Sequence, residues 1–138
     1  MILISFGTRP EFIKIKPLIE AFKDRIPFKL LFTGQHVDLL SDVEGDIHKL
    51  TIEDGSNRLD SIVSSMMNND AIFEGVEAVL VQGDTTSVFA VALAAFHRRI
   101  KIIHLEAGLR TFNKDHPYPE EFNRRAVSVM AYIHLSPT

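Results

Sequence analysis

The chain has 138 residues, 46% hydrophobic and 24% charged, with a formal net charge of −3 and no cysteine. This is the composition of one ordinary globular domain, residues 1–138, able to bury about two-thirds of its unfolded surface. Disulfides and thiolate chemistry are excluded, the weak charge points to no nucleic acid and no acidic membrane as partner, and a cytoplasmic location is expected. No apolar run approaches the roughly 20 residues that span a bilayer, and the N-terminus lacks the basic leader of a signal peptide.

Ile2–Phe6 is a short apolar run that passes into Gly7-Thr8-Arg9-Pro10, a natural strand-to-helix turn. Ile15, Leu18, Ile19 and Phe22 then recur at helical spacing. Pro17 removes one backbone donor within that stretch and predicts a kink or a restart. Phe28–Phe32 reads as a second strand, closed by Thr33-Gly34-Gln35-His36, and residues 41–57 are polar, mixed and carry no clear period. Leu59, Ile62, Val63, Met66 and Met67 mark an amphipathic helix for which Ser56 is the expected N-cap, with both methionines as core filler. A strand at 78–81, an apolar helix at 88–96, a strand at Lys101–Leu105, a helix at Glu120–Met130 and a strand at 132–135 complete the pattern. Strands alternating with helices predict an α/β fold with a Rossmann-like parallel sheet and helices on both faces. The chain ends directly after its last apolar strand, where such a domain would continue into a helix, and so reads as a fragment.

Three acidic motifs stand just beyond strand-like runs or after a short loop. They are Gly83-Asp84-Thr85-Thr86, Glu106-Ala107-Gly108-Leu109-Arg110-Thr111 and Pro119-Glu120-Glu121-Phe122-Asn123-Arg124-Arg125. In an open parallel sheet, ligands bind in the crevice beyond the carboxyl ends of the strands. Asp84, Glu106 and Glu120 are therefore candidates to face one anionic ligand and exchange protons with it. Removal of a carbon-bound proton needs a base, and a carboxylate can serve where burial or like charge raises its pKa. Arginine and lysine suit the charge that grows on a departing phosphate. The turn after the first strand offers helix N-terminal amides to an anion, with Arg9 as a planar donor and Lys14 about one turn further. It carries neither the dinucleotide fingerprint nor a P-loop.

Each of these residues has a structural alternative. Asp84 is a favoured N-cap for the helix that follows. Glu106 can pair with Arg110. Glu120 and Glu121 complement a helix dipole behind Pro119, and Arg124 and Arg125 can form a solvated face. The six histidines show no metal-ligand spacing. His104 and His134 lie in apolar strands and are expected in or near the core, and His97 suits a helix C-terminus.

Five motifs together carry a family resemblance: Phe6-Gly7-Thr8-Arg9-Pro10-Glu11, Thr33-Gly34-Gln35-His36, Gln82-Gly83-Asp84-Thr85, the run from His104 to Thr111, and Pro119-Glu120-Glu121-Phe122-Asn123-Arg124. In this order they resemble the N-terminal half of bacterial non-hydrolysing UDP-N-acetylglucosamine 2-epimerases, most weakly between residues 41 and 78. The resemblance implies one half of a GT-B two-domain architecture, with the C-terminal domain that binds most of the UDP moiety absent. It implies interconversion of UDP-N-acetylglucosamine and UDP-N-acetylmannosamine by anti elimination of UDP to a 2-acetamidoglucal and re-addition to the opposite face at C2. No cofactor and no metal are implied. Asp84, Glu106 and Glu120 fall on the family's catalytic carboxylates, and Arg9, Lys14 and Arg124 on residues that line its active site. Gln35 and His36 resemble part of an effector site for a second UDP-N-acetylglucosamine. A homodimer and a place in cell-envelope polysaccharide biosynthesis belong to the same expectation, and the 138-residue chain alone is expected to be inactive or nearly so. A hydrolysing epimerase, another GT-B nucleotide-sugar enzyme and a non-catalytic nucleotide-sugar-binding module are the alternatives.

Overall fold

The structure is a computed structural model that describes residues 1–34, 40–41, 43, 47–52, 57–105 and 119–135. Its elements are β1 (Ile2–Phe6), α1 (Arg9–Phe22), β2 (Phe28–Phe32), β3 (Ile47–Lys49), α2 (Arg58–Met67), β4 (Ala78–Gln82), α3 (Thr86–His97), β5 (Lys101–Leu105), α4 (Glu120–Met130) and β6 (Ile133–Leu135). The six strands form one parallel sheet in the order β3-β2-β1-β4-β5-β6. The α/β expectation therefore holds.

Alternation along the buried strands divides the core in two. Leu3, Leu31, Val79, Val81 and Ile102 pack with α2, α3 and α4 on one face. Ile4, Phe6, Leu30, Phe32 and Leu80 pack with Phe12, Ile15 and Ile19 of α1 on the other. A strand covered on both faces is apolar along most of its length, which is why β1, β2 and β4 read as near-continuous hydrophobic runs, interrupted by Ser5, Lys29 and Gln82.

Three local expectations are corrected, and the unpatterned stretch gains a strand. α1 does not restart at Pro17, because the helix runs unbroken from Arg9 to Phe22. Pro17 and Ile13, whose carbonyl loses its partner, are both exposed, so water can take the freed acceptor. β3 arises from the unpatterned stretch, as a short edge strand with two of its three residues exposed. The α2 cap is Asn57, whose Oδ1 accepts the N–H of Leu59 at 2.9 Å and of Asp60 at 3.4 Å, and Ser56 lies outside the described residues. His134 is exposed on the edge strand β6, whereas His104 is fully buried as expected. Met66 is core and Met67 packs against it. Among the described residues no helix is long and apolar enough to cross a membrane.

Candidate functional site

The sheet order places β1 beside both β2 and β4, and successive strands run outward from β1 on one side and from β4 on the other. A crevice opens at such a switch point, beyond the carboxyl ends of the strands. Two turns enter it here: Gly7-Thr8 between β1 and α1, and Gly83 to Thr85 between β4 and α3.

The β4–α3 turn presents Asp84. Gly83 has φ of +86°, a left-handed conformation that glycine adopts without a Cβ penalty. Its N–H donates to the Leu105 carbonyl at 3.2 Å, which joins the ends of β4 and β5. The α3 N-cap is Thr85, not Asp84, since Thr85 Oγ1 accepts the Val88 N–H at 3.3 Å. The Asp84 carboxylate is left for another task. Its Oδ2 accepts from Arg124 Nη2 at 2.8 Å, with the arginine side chain only 7% exposed and the aspartate side chain 29%.

α4 supplies the opposite wall. Asn123 Nδ2 donates to the Asp84 carbonyl at 3.0 Å and lies 3.4 Å from Thr86 Oγ1. Glu120, Asn123 and Arg124 are spaced i, i+3, i+4 and therefore share the face turned to Asp84. The neighbouring acids separate in role. Glu121 is buried and accepts from Arg125 Nε at 2.6 Å, an ion pair within the helix. Glu120 Oε2 is buried with no hydrogen-bond partner. A structural role thus fits Glu121, through its ion pair with Arg125, and the solvated-face alternative fails for Arg124.

The β1–α1 turn contributes a carboxyl that the sequence reading passed over. Glu11 Oε1 accepts the Gly7 N–H at 2.9 Å, while Thr8 Oγ1 accepts the Glu11 N–H at 3.3 Å and caps α1. Glu11 is 6% exposed and its Oε2 has no partner. Burial pushes its pKa up, the bonds from Gly7 and Thr8 oppose the shift, and the charge of Asp84 adds to it. The signal for Glu11 was the Thr8…Glu11 spacing, a capping box.

Arg9 opens α1 and Lys14 lies further along it, both exposed. His104 donates from Nε2 to the Gly83 carbonyl at 2.8 Å, and burial pushes its pKa down, so the ring is held neutral. Glu106, Arg110, Gln35, His36 and His116 lie outside the described residues. Among the described residues no group of three or more His, Cys, Asp or Glu side chains is placed to hold a metal ion.

Fold and crevice define a Rossmann-like domain with carboxylates and an arginine gathered at the switch point of a parallel sheet. Comparison with known proteins narrows that class. The family profile described as UDP-N-acetylglucosamine 2-epimerase matches residues 20–138. A UDP-N-acetylglucosamine 2-epimerase of Campylobacter jejuni is 40% identical over 99% of this chain and 38% of its own length. One from Salmonella borreze is 42% identical over 99% of this chain and 39% of its own. The crystal structure of UDP-GlcNAc 2-epimerase from Neisseria meningitidis bound to UDP-GlcNAc superposes with a TM-score of 0.90 at 39% identity, over 99% of this chain and 40% of that one. The chain belongs to the UDP-N-acetylglucosamine 2-epimerase family, and it spans about 40% of the length of these relatives.

Proposed function

We propose that this chain is the N-terminal catalytic part of a non-hydrolysing UDP-N-acetylglucosamine 2-epimerase, with UDP-N-acetylglucosamine as substrate. The observation that carries the reading is Asp84, released from capping by Thr85 and paired with the buried Arg124 across the crevice.

The chemistry follows from the residue types. A base removes the C2 proton, the C2–H electron pair becomes a C1=C2 double bond, and the C1–O bond breaks so that UDP leaves with its pair. The same steps in reverse, with the proton delivered to the other face of C2, give UDP-N-acetylmannosamine. No redox step occurs, and two proton-exchanging groups are needed, one for each face. Asp84, Glu106 and Glu120 are the proposed catalytic acids and bases. Arg9, Lys14 and Arg124 are the proposed substrate-binding cations, with Arg9 beside the amides at the start of α1, where an anion is favoured. Gln35 and His36 are proposed effector contacts. A homodimer and a cytoplasmic setting belong to the same reading, for which family membership is the support.

Activity is proposed for the complete protein that carries this sequence, and little turnover is expected of the 138-residue chain alone. Incubation of the complete protein with UDP-N-acetylglucosamine tests it. Formation of UDP-N-acetylmannosamine supports the proposal, and release of free N-acetylmannosamine would favour a hydrolysing enzyme instead.

A further inference from the structure

Asp84 follows a left-handed glycine and does not cap its own helix, so the Thr85 cap fixes the start of α3 without itself anchoring Asp84. Three side chains from other elements fix it instead. Arg124 takes the carboxylate, Asn123 takes the Asp84 carbonyl, and His104 takes the carbonyl of Gly83 one peptide earlier. We propose that His104 and Asn123 are positioning residues for Asp84, holding the two carbonyls that flank its Cα so that its carboxylate meets the reacting carbon at a fixed angle. The proposal rests on the reading of Asp84 as a reacting group.

Packing alone does not account for either side chain. His104 is fully buried in β5, and because Gly83 O can only accept, Nε2 carries the proton. Nδ1 is then an acceptor, and it is buried without a hydrogen bond. An aliphatic residue would fill β5 without an unpaired Nδ1, but would leave the buried Gly83 carbonyl without this donor. What the imidazole adds is the bond to Gly83. Burial holds the ring neutral, so the donor is supplied without placing a second cation beside Arg124. Asn123 is 3% exposed on α4, and its amide likewise spends a donor on the carbonyl of Asp84. The two bonds reach the turn from different elements, one from β5 and one from α4.

Steady-state kinetics of the complete protein with UDP-N-acetylglucosamine test the assignment. His104→Leu removes the donor, His104→Gln restores one in place of Nε2, and Asn123→Asp replaces the amide donor with an acceptor of the same shape. The expected result is a fall in kcat of about 10- to 100-fold in His104→Leu and Asn123→Asp, the scale of a misplaced reacting group. KM should stay within about threefold, and His104→Gln should recover most of kcat. Wild-type kcat in His104→Leu and Asn123→Asp would overturn the proposal, as would a His104→Gln variant no better than His104→Leu. Should His104→Leu fail to fold, Asn123→Asp and His104→Gln decide the matter. Asp84→Asn separates the two levels. Full activity there removes the underlying reading, whereas inactivity there beside wild-type positioning variants defeats only the positioning.

Discussion

Arg124 Nη2 lies 2.8 Å from Asp84 Oδ2, and this one contact joins the turn after β4 to the buried face of α4. Asp84→Ala leaves a guanidinium that is 7% exposed without that carboxylate. Loss of a hydrogen bond to a charged group costs about 1.5–3 kcal/mol. Denaturant titration of Asp84→Ala, Arg124→Leu and the double variant should show a coupling energy of about 0.5–3 kcal/mol. Additive losses would mean that the pair contributes nothing to folding.

Thr85 and Asp84 should separate in their effects. Thr85→Ala removes the α3 cap and is expected to cost about 1 kcal/mol, and it leaves the acid itself in place. Asp84→Asn in the complete protein should lower kcat by about 10²–10⁴-fold, the usual worth of a general acid or base. A Thr85→Ala variant of unchanged stability would contradict the assignment of Thr85 as the α3 cap.

Glu11 predicts a pH-dependent difference in stability. Burial raises its pKa in the folded protein, while in the unfolded chain it titrates as an ordinary carboxyl. Between those two values the folded state keeps a proton that the unfolded state has released, so this group makes stability fall as pH rises through the window. Below it both states are protonated and the contribution is constant. Glu11→Gln keeps an acceptor for the Gly7 N–H and cannot ionise. Its Tm relative to the parent should be least favourable near pH 4, close to the ordinary carboxyl value, and improve toward neutrality. A difference in Tm that does not change with pH would contradict the shift.

Gly34 is a steric requirement rather than a flexible point. A Cβ there would lie 2.0 Å from the Gly7 carbonyl oxygen and 2.8 Å from Phe32 Cζ. The turns after β1 and β2 are thus packed backbone against backbone, and Gly34→Ala should cost about 3 kcal/mol or more, as overpacking of fixed atoms does. Gly75 has φ of +73° with open space around its missing Cβ. Gly75→Ala should therefore cost about 1–2 kcal/mol, from backbone strain alone. Equal losses in urea unfolding would place the two turns apart.

Much of the fold was legible because the central strands are buried on both faces and so spell near-continuous apolar runs. β3 was not, since an edge strand with two exposed residues needs no hydrophobic pattern. His134 misled for the related reason that an apolar run at a sheet edge keeps its sequence character but loses its cover. At the site, Asp84, Glu120 and Arg124 stood out through residue type and position after strands. Their roles relative to Thr85 and Glu121 did not, because a cap and an i,i+4 pair compete for the same residue types. Contacts such as Asn123 to Asp84, set by packing between elements far apart in sequence, leave no local signal. Glu11 had a local signal in its spacing from Thr8, but its burial could be seen only with the sheet assembled.

The central claim is that carboxylates at this switch point exchange a proton at C2 of UDP-N-acetylglucosamine. The most direct measurement is NMR of the complete protein incubated with that substrate in D2O. The expected product is UDP-N-acetylmannosamine carrying deuterium at C2, with loss of the exchange in Asp84→Asn. Absence of C2 deuterium with active, folded protein, or undiminished exchange in Asp84→Asn, would contradict it.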